Sequence, residues 1–252
     1  MMFRRSLAAV PEILRVTLRQ LLGRRRTILL LLLSAVPVLL AVVFWAASDR
    51  NVAGFATGVL DAVAVTLLLP IVAVLFGTAA FGAEIEDGTI VYVLAKPISR
   101  WAVVVSKLIG AAGMTAALTV GSVLIAGAIV LVPLGEDGAA ATRAFVAAMA
   151  VGSICYISVF LTLSLFTRRA LLIGLVYVLV WEGALSALLP GIANLSIRQY
   201  SLGVASAFWH MKPEEARLSP STALPLVVVV VVVAVVVATW RLMRFELPGG
   251  ND

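Results

Sequence analysis

Residues 223–240 read Ala223-Leu224-Pro225-Leu226, seven consecutive valines from Val227 to Val233, Ala234, three more valines, and then Ala238-Thr239-Trp240. In water, so dense a run of β-branched residues reads as an aggregation-prone strand. In lipid a lone strand leaves its N–H and C=O groups unbonded, whereas a helix bonds its own, so the same run reads as a bilayer-crossing helix. Its length suits that role, because a hydrocarbon core of about 30 Å takes roughly 20 residues at about 1.5 Å each. Trp240 and Arg241 then fall where the interface should lie.

The rest of the chain agrees. Its 252 residues are 62% hydrophobic and 13% charged, with mean hydropathy +1.12. A soluble domain is about 45–50% apolar and about 25% charged, and disordered chains are poorer still in apolar residues. Both classes are excluded. Five further stretches are long and apolar enough to cross: Ile28–Ala47, Val59–Phe81, Leu108–Val132, Ala144–Phe166 and Ala170–Leu189. The expected fold is therefore an all-α integral membrane protein. One six-span domain occupies residues 28–247, an amphipathic segment 1–27 precedes it, and a tail 248–252 follows. Pro37 and Pro70 are expected to kink the first two spans. Two small-residue ridges, Gly113-Ala117-Gly121 and Ala140-Ala144-Ala148-Gly152, are expected to pack helices within the chain rather than to form a dimer seam.

Charge placement sets the orientation. With six spans both termini lie on one side, together with Lys96, Arg100, Lys107, Arg168, Arg169, Arg241, Arg244 and the seven N-terminal arginines. That side holds fourteen of the nineteen basic residues; Arg50, Arg143, Arg198, Lys212 and Arg217 lie on the other. The positive side faces the cytoplasm, so both termini are expected inside and the protein multi-pass in the plasma membrane. The net charge of +6 is thus a topological signal, and no nucleic-acid partner is expected.

Catalytic chemistry is not in evidence. The sequence has no G-x-x-x-x-G-K-[ST] loop, no H-E-x-x-H and no C-x-x-C, so no catalytic, cofactor-binding or metal-binding residue is assigned. Lone Cys155 reads as a small core residue, and lone His210 makes no cluster. Within the spans the candidate pathway charges are Asp61 and Glu182. Both lie near the outer ends of their spans, and the blander reading is that water hydrates them there.

Three segments outside the spans carry information. In Ser6–Arg26, leucines 14, 18, 21 and 22 share one helical face while Arg15, Arg19 and Arg26 lie towards the other, as in a helix resting among lipid headgroups. In the loop 83–107, Glu84, Glu86 and Asp87 cluster below the second span, and turn-prone Gly88 follows. A run Ile90–Ala95, too short to span, ends at Lys96-Pro97. Pro97 disfavours helix before it, and Ser99 is placed to cap the helix that enters the third span. A short helix across the membrane face is expected here. The outer segment 190–222 mixes apolar pieces such as Leu202–Trp209 with polar Met211–Ser221, and its length implies a function or partial helicity.

The stretch Glu84-Ile85-Glu86-Asp87-Gly88-Thr89-Ile90-Val91-Tyr92-Val93-Leu94-Ala95-Lys96-Pro97-Ile98-Ser99-Arg100-Trp101, with Lys107 beyond, resembles the cytoplasmic loop of ABC-2-type transporter permeases. The six-span layout and the N-terminal interfacial helix are similar over nearly the full chain. The resemblance implies a permease subunit without its own nucleotide site, driven by a separate ATPase chain that binds ATP and magnesium. It also implies a second permease copy, identical or paralogous, and export of a small or lipophilic substrate. Thr89, Ile90, Tyr92 and Leu94 would then form the ATPase-docking helix. Glu84, Glu86, Gly88, Pro97, Ser99, Arg100 and Lys107 would form its hinge and loop motif. The outer segment would hold short, partly re-entrant helices forming an outer gate. The rival readings are a secondary transporter needing no ATPase, an integral membrane enzyme, and a related subunit that transmits force to an extracytoplasmic partner.

Overall fold

The computed structural model describes Thr17 and residues 23–47, 51–90, 99–185, 194–211 and 216–244. Among these residues all regular structure is helical. Tyr92, Leu94 and Pro97, nearly all of the expected interfacial helix, the end of the stretch Ala170–Leu189 and the tail 248–252 lie outside the described residues.

Among the described residues, seven helices follow one another besides a 3-10 turn at Val132–Leu134: α1 (Arg24–Ala46), α2 (Val52–Glu86), α3 (Arg100–Val130), α4 (Glu136–Ser164), α5 (Ala170–Val176, continuing through Tyr177–Leu185), α6 (Ile197–Ala205) and α7 (Pro220–Met243). Five of them, α1, α2, α3, α4 and α7, are long and apolar enough to cross a membrane. The sixth expected span appears in α5 as a shorter apolar helix, Ala170–Gly183. The long helices overrun the apolar stretches that mark them. A 31-residue α3 is about 46 Å long, half as long again as a hydrocarbon core of about 30 Å.

α4 is the hub, packed against α2, α3, α6 and α7. Its small residues permit this. Ala144 and Ala148 are fully buried, and a Cβ on Gly152 would meet Leu69 Cδ2 at 2.5 Å and Ser201 Oγ at 2.7 Å. The other ridge behaves differently from expectation. Gly113 and Ala117 are exposed, and nothing lies within 4 Å of a Cβ built on Gly113 or Gly121. The residues that α3 buries are instead those beside the ridge, such as Ala111, Thr115 and Thr119.

α1 and α7 form the outside of the bundle. Leu29, Leu32, Leu39 and Val43 on α1, and Val228, Val232 and Val236 on α7, are all more than half exposed. That apolar surface suits lipid and not water. The valine run is helical, and α7 buries Ala223, Ala234, Ala238 and Leu242, with Leu226, Val227, Val230, Val231 and Val235 partly buried against the core. Ala234, Ala238 and Leu242 recur every fourth residue, a single helical seam.

Pro70 is accommodated by a change of winding. Residues Ala56–Leu68 of α2 are π-wound, and Leu69 N–H donates to Ala64 O, five residues back. A proline lacks an N–H and its ring crowds the carbonyl four residues earlier; a wider turn just upstream relieves both problems. Pro37 lies inside α1. Several buried hydroxyls of the spans are satisfied locally: those of Thr78, Ser106, Thr115 and Thr142 donate to carbonyls four residues back. A few tie helices together. Ser122 Oγ donates to Ser34 O between α3 and α1, and Thr162 Oγ1 to Ala234 O between α4 and α7.

Candidate coupling corner and far-end polar cluster

α2 ends because its chain reaches Gly88. Asp87 N–H donates to Ala83 O, and Gly88 adopts φ +67°, a left-handed turn that costs glycine nothing. Thr89 beyond it is exposed, while Ile90 is only 4% exposed. α3 starts at Arg100 behind Ser99, whose extended backbone (φ −63°, ψ 135°) fits an N-cap. Ser99 O accepts from the N–H groups of Ala102 and Val103, but its side chain makes no capping bond. The expected cap is thus present as backbone geometry alone. Arg100 is half-buried, and Glu86 is exposed on the last turn of α2.

Two of the sequence-derived hinge residues meet across this corner. Lys107 Nζ donates to Glu84 Oε1 at 2.7 Å and also to Ala80 O, and it sits 4.7 Å from the centre of the Phe81 ring. Lysine and glutamate are 1% and 4% exposed. The ammonium thus has two hydrogen bonds and an aromatic face. The ion pair clamps the end of α2 to the second turn of α3. Breaking a buried pair by deleting one partner leaves a bare charge in a dry place, at a cost of about 3–5 kcal/mol.

A second polar cluster lies at the opposite end of the bundle. Asp61, on the π-wound part of α2, accepts Arg198 Nη2 at 2.7 Å on Oδ1 and 2.6 Å on Oδ2. Arg198 Nε donates to Thr66 Oγ1, whose own proton goes to Asp61 O, closing a small ring. Glu182, on α5 and 3% exposed, accepts Ser196 Oγ at 2.6 Å, Ile197 N–H at 2.8 Å and Tyr177 Oη at 3.2 Å. The two carboxylates are therefore satisfied by protein groups, where hydration was the blander expectation.

Both of these carboxylates act on α6. Of its nine residues all but Arg198 are buried, an unusual burden for so short an element. Its orphan N–H groups are met by Glu182 at Ile197 and by Ser196 Oγ at Gln199. Gln199 Oε1 accepts Arg217 N–H from the approach to α7, and a Cβ on Gly203 would meet Ala223 Cβ at 2.8 Å. α6 is seated between α4 and α7, with carboxylates of α2 and α5 fastening its first turn.

Arg198 is the functional candidate that sequence reasoning missed. In the sequence it is one of five basic residues on the outer side. The available signal was Asp61: a carboxylate in a span needs a partner, and few cations lie on that side of the chain. A family model described as ABC-2 family transporter protein matches residues 17–247. No curated protein matches the chain.

Proposed function

The chain belongs to the ABC-2 family of transporter proteins, and from that premise we propose that it is the permease subunit of an ATP-driven exporter. In this reading it crosses the plasma membrane six times with both termini inside. A separate ATPase chain binds the ATP and magnesium, and a second permease copy completes the pathway. The observation that carries the mechanism is the buried Glu84–Lys107 pair, because it makes α2 and α3 move together directly above the Gly88 turn.

The sequence of events follows from that clamp. ATP binding closes the ATPase pair, and its groove draws in the segment from Thr89 through Ile90 and Tyr92 to Leu94. Gly88 and Pro97 bound the segment and let it turn as a unit, with Glu86, Ser99 and Arg100 at its two roots. The load passes to α2 and α3 through Glu84 and Lys107. α2 also carries Asp61, so its displacement reaches Arg198 and α6 at the other end. α6 serves as the outer plug, and Asp61 and Glu182 border the pathway as its fasteners. The partner supplies the differential binding energy, and the bundle is the two-state element that it biases.

The test is to co-purify the chain with the ATPase that accompanies it, wild type against Ile90→Asp with Leu94→Asp. Loss of the complex and of ATP-dependent transport, with the permease still folded, is the expected result. A complex that survives unchanged rejects the docking assignment.

A further inference from the structure

At the end of the bundle where α2 stops and α5 starts, a cavity of about 150 Å³ opens between α2, the last residue of α4 and the turn into α5. That is about five times the volume a water molecule occupies in the liquid. Its lining is chemically two-sided. Glu86 and Arg168 both line it, and among the described residues neither makes an ion pair or hydrogen bond. Thr78, Ser164 and Thr167 contribute hydroxyl groups. The first two are buried and spend their protons on Val74 O and Leu161 O, while Thr167 Oγ1 accepts Arg169 N–H. Thr78 and Ser164 therefore offer lone pairs and no free donor to anything that enters. Two hydroxyl acceptors and a carboxylate favour a donor-rich cation, whereas the Arg168 guanidinium and the unspent Thr167 O–H favour an oxyanion.

The position of the cavity adds the third requirement. Leu171 lines it, and the next residues, Leu172 and Ile173, are 60% and 47% exposed. The mouth thus adjoins an apolar face suited to acyl chains, at the level where the apolar helices end.

We propose that this cavity binds the zwitterionic headgroup of an aminophospholipid, its ammonium against Glu86 and the hydroxyl acceptors and its phosphate against Arg168. The site shares Glu86 with the root of the segment assigned to the ATPase, but lipid retention is read without the ATPase, so it stands whether or not that docking assignment holds. A choline headgroup lacks N–H donors and fits the acceptor pocket less well; a glycerol headgroup has no cation for Glu86.

The experiment is native mass spectrometry of the full chain released from nanodiscs of mixed phosphatidylethanolamine, phosphatidylcholine and phosphatidylglycerol. The wild type should retain phosphatidylethanolamine preferentially. Glu86→Gln should lower that preference about two- to fivefold, the size of a partly exposed charge pair, while Glu86→Asp keeps it. Arg168→Gln should lower retention of all three lipids, and Arg244→Gln should change nothing. Free phosphoethanolamine added in excess should compete weakly, since it lacks the acyl chains that Leu171 and its neighbours contact. Equal retention of the three lipids by the wild type, or a preference indifferent to Glu86, overturns the proposal. Full competition by the free headgroup would assign the site to a soluble metabolite instead and overturn the lipid claim.

Discussion

Lys107 gives up its hydration to lie at 1% exposure, and among the described residues Glu84, Ala80 O and the Phe81 ring compensate. Lys107→Ala should therefore cost about 3–5 kcal/mol of stability, because Glu84 is left charged and buried. Lys107→Met combined with Glu84→Leu should be close to neutral. Thermal unfolding in detergent compares the two, and a neutral single variant would show the pair to be idle. Gly88 offers a second contrast. A Cβ there meets nothing, so the cost of Gly88→Ala is purely conformational, about 1–2 kcal/mol at φ +67°. Gly113→Ala, in an ordinary helical backbone with equally open space, should leave stability unchanged or improve it by up to about 1 kcal/mol. At this scale the sequence was half legible. Glu84 and Lys107 stood out through a motif, although nothing in their spacing of 23 residues reveals a contact. Arg198 stayed hidden because its partner is 137 positions away, and a lone arginine in a loop looks like any other.

α6 shows what periodicity reads poorly. Nine residues are too few for a clear repeat, and a mixed sequence such as Ile197-Arg198-Gln199-Tyr200-Ser201 gives no sign of being buried on nearly every side. Burial there comes from neighbours distant in sequence, above all Gly152 and Ala223, whose small size makes the space. The element is held at its start by Asp61 and Glu182, and each charge-assisted bond is worth about 1.5–3 kcal/mol. Asp61→Asn with Glu182→Gln should accordingly loosen α6. A reporter is Ser201→Cys in a Cys155→Ser background, since Ser201 is fully buried. Its reaction with a small maleimide should accelerate about ten- to a hundredfold once the fasteners are removed. No acceleration would mean that packing alone seats the helix. α2 carries the opposite lesson. Its apolar run and Pro70 were plain to read, but the π winding that reconciles them depends on how the ends of the helix are held.

Across the whole molecule, the count of greasy stretches follows from composition and length alone, and five of the six are long helices here. Their lateral arrangement does not, because lipid-facing and protein-facing valines look identical in a sequence. The ridge on α4 is buried as expected, whereas the Gly113-Ala117-Gly121 ridge faces outward, although the two have the same spacing. The hub position of α4 predicts that Gly152→Ala, forced against Leu69 and Ser201, costs about 1–3 kcal/mol in the same unfolding assay. The family match places the chain among ABC-2 transporter proteins, and α2 carries an ion pair at each end, Glu84–Lys107 at one and Asp61–Arg198 at the other. The central claim is that the loop after Gly88 meets an ATPase on the arginine-rich face. Tyr92→Cys, in the Cys155→Ser background, probed with an impermeant maleimide in membrane vesicles of both orientations, tests it most directly. Labelling confined to inside-out vesicles, and suppressed when the ATPase is co-expressed, is the predicted result. Labelling from the right-side-out face, or inside-out labelling indifferent to the ATPase, would contradict it.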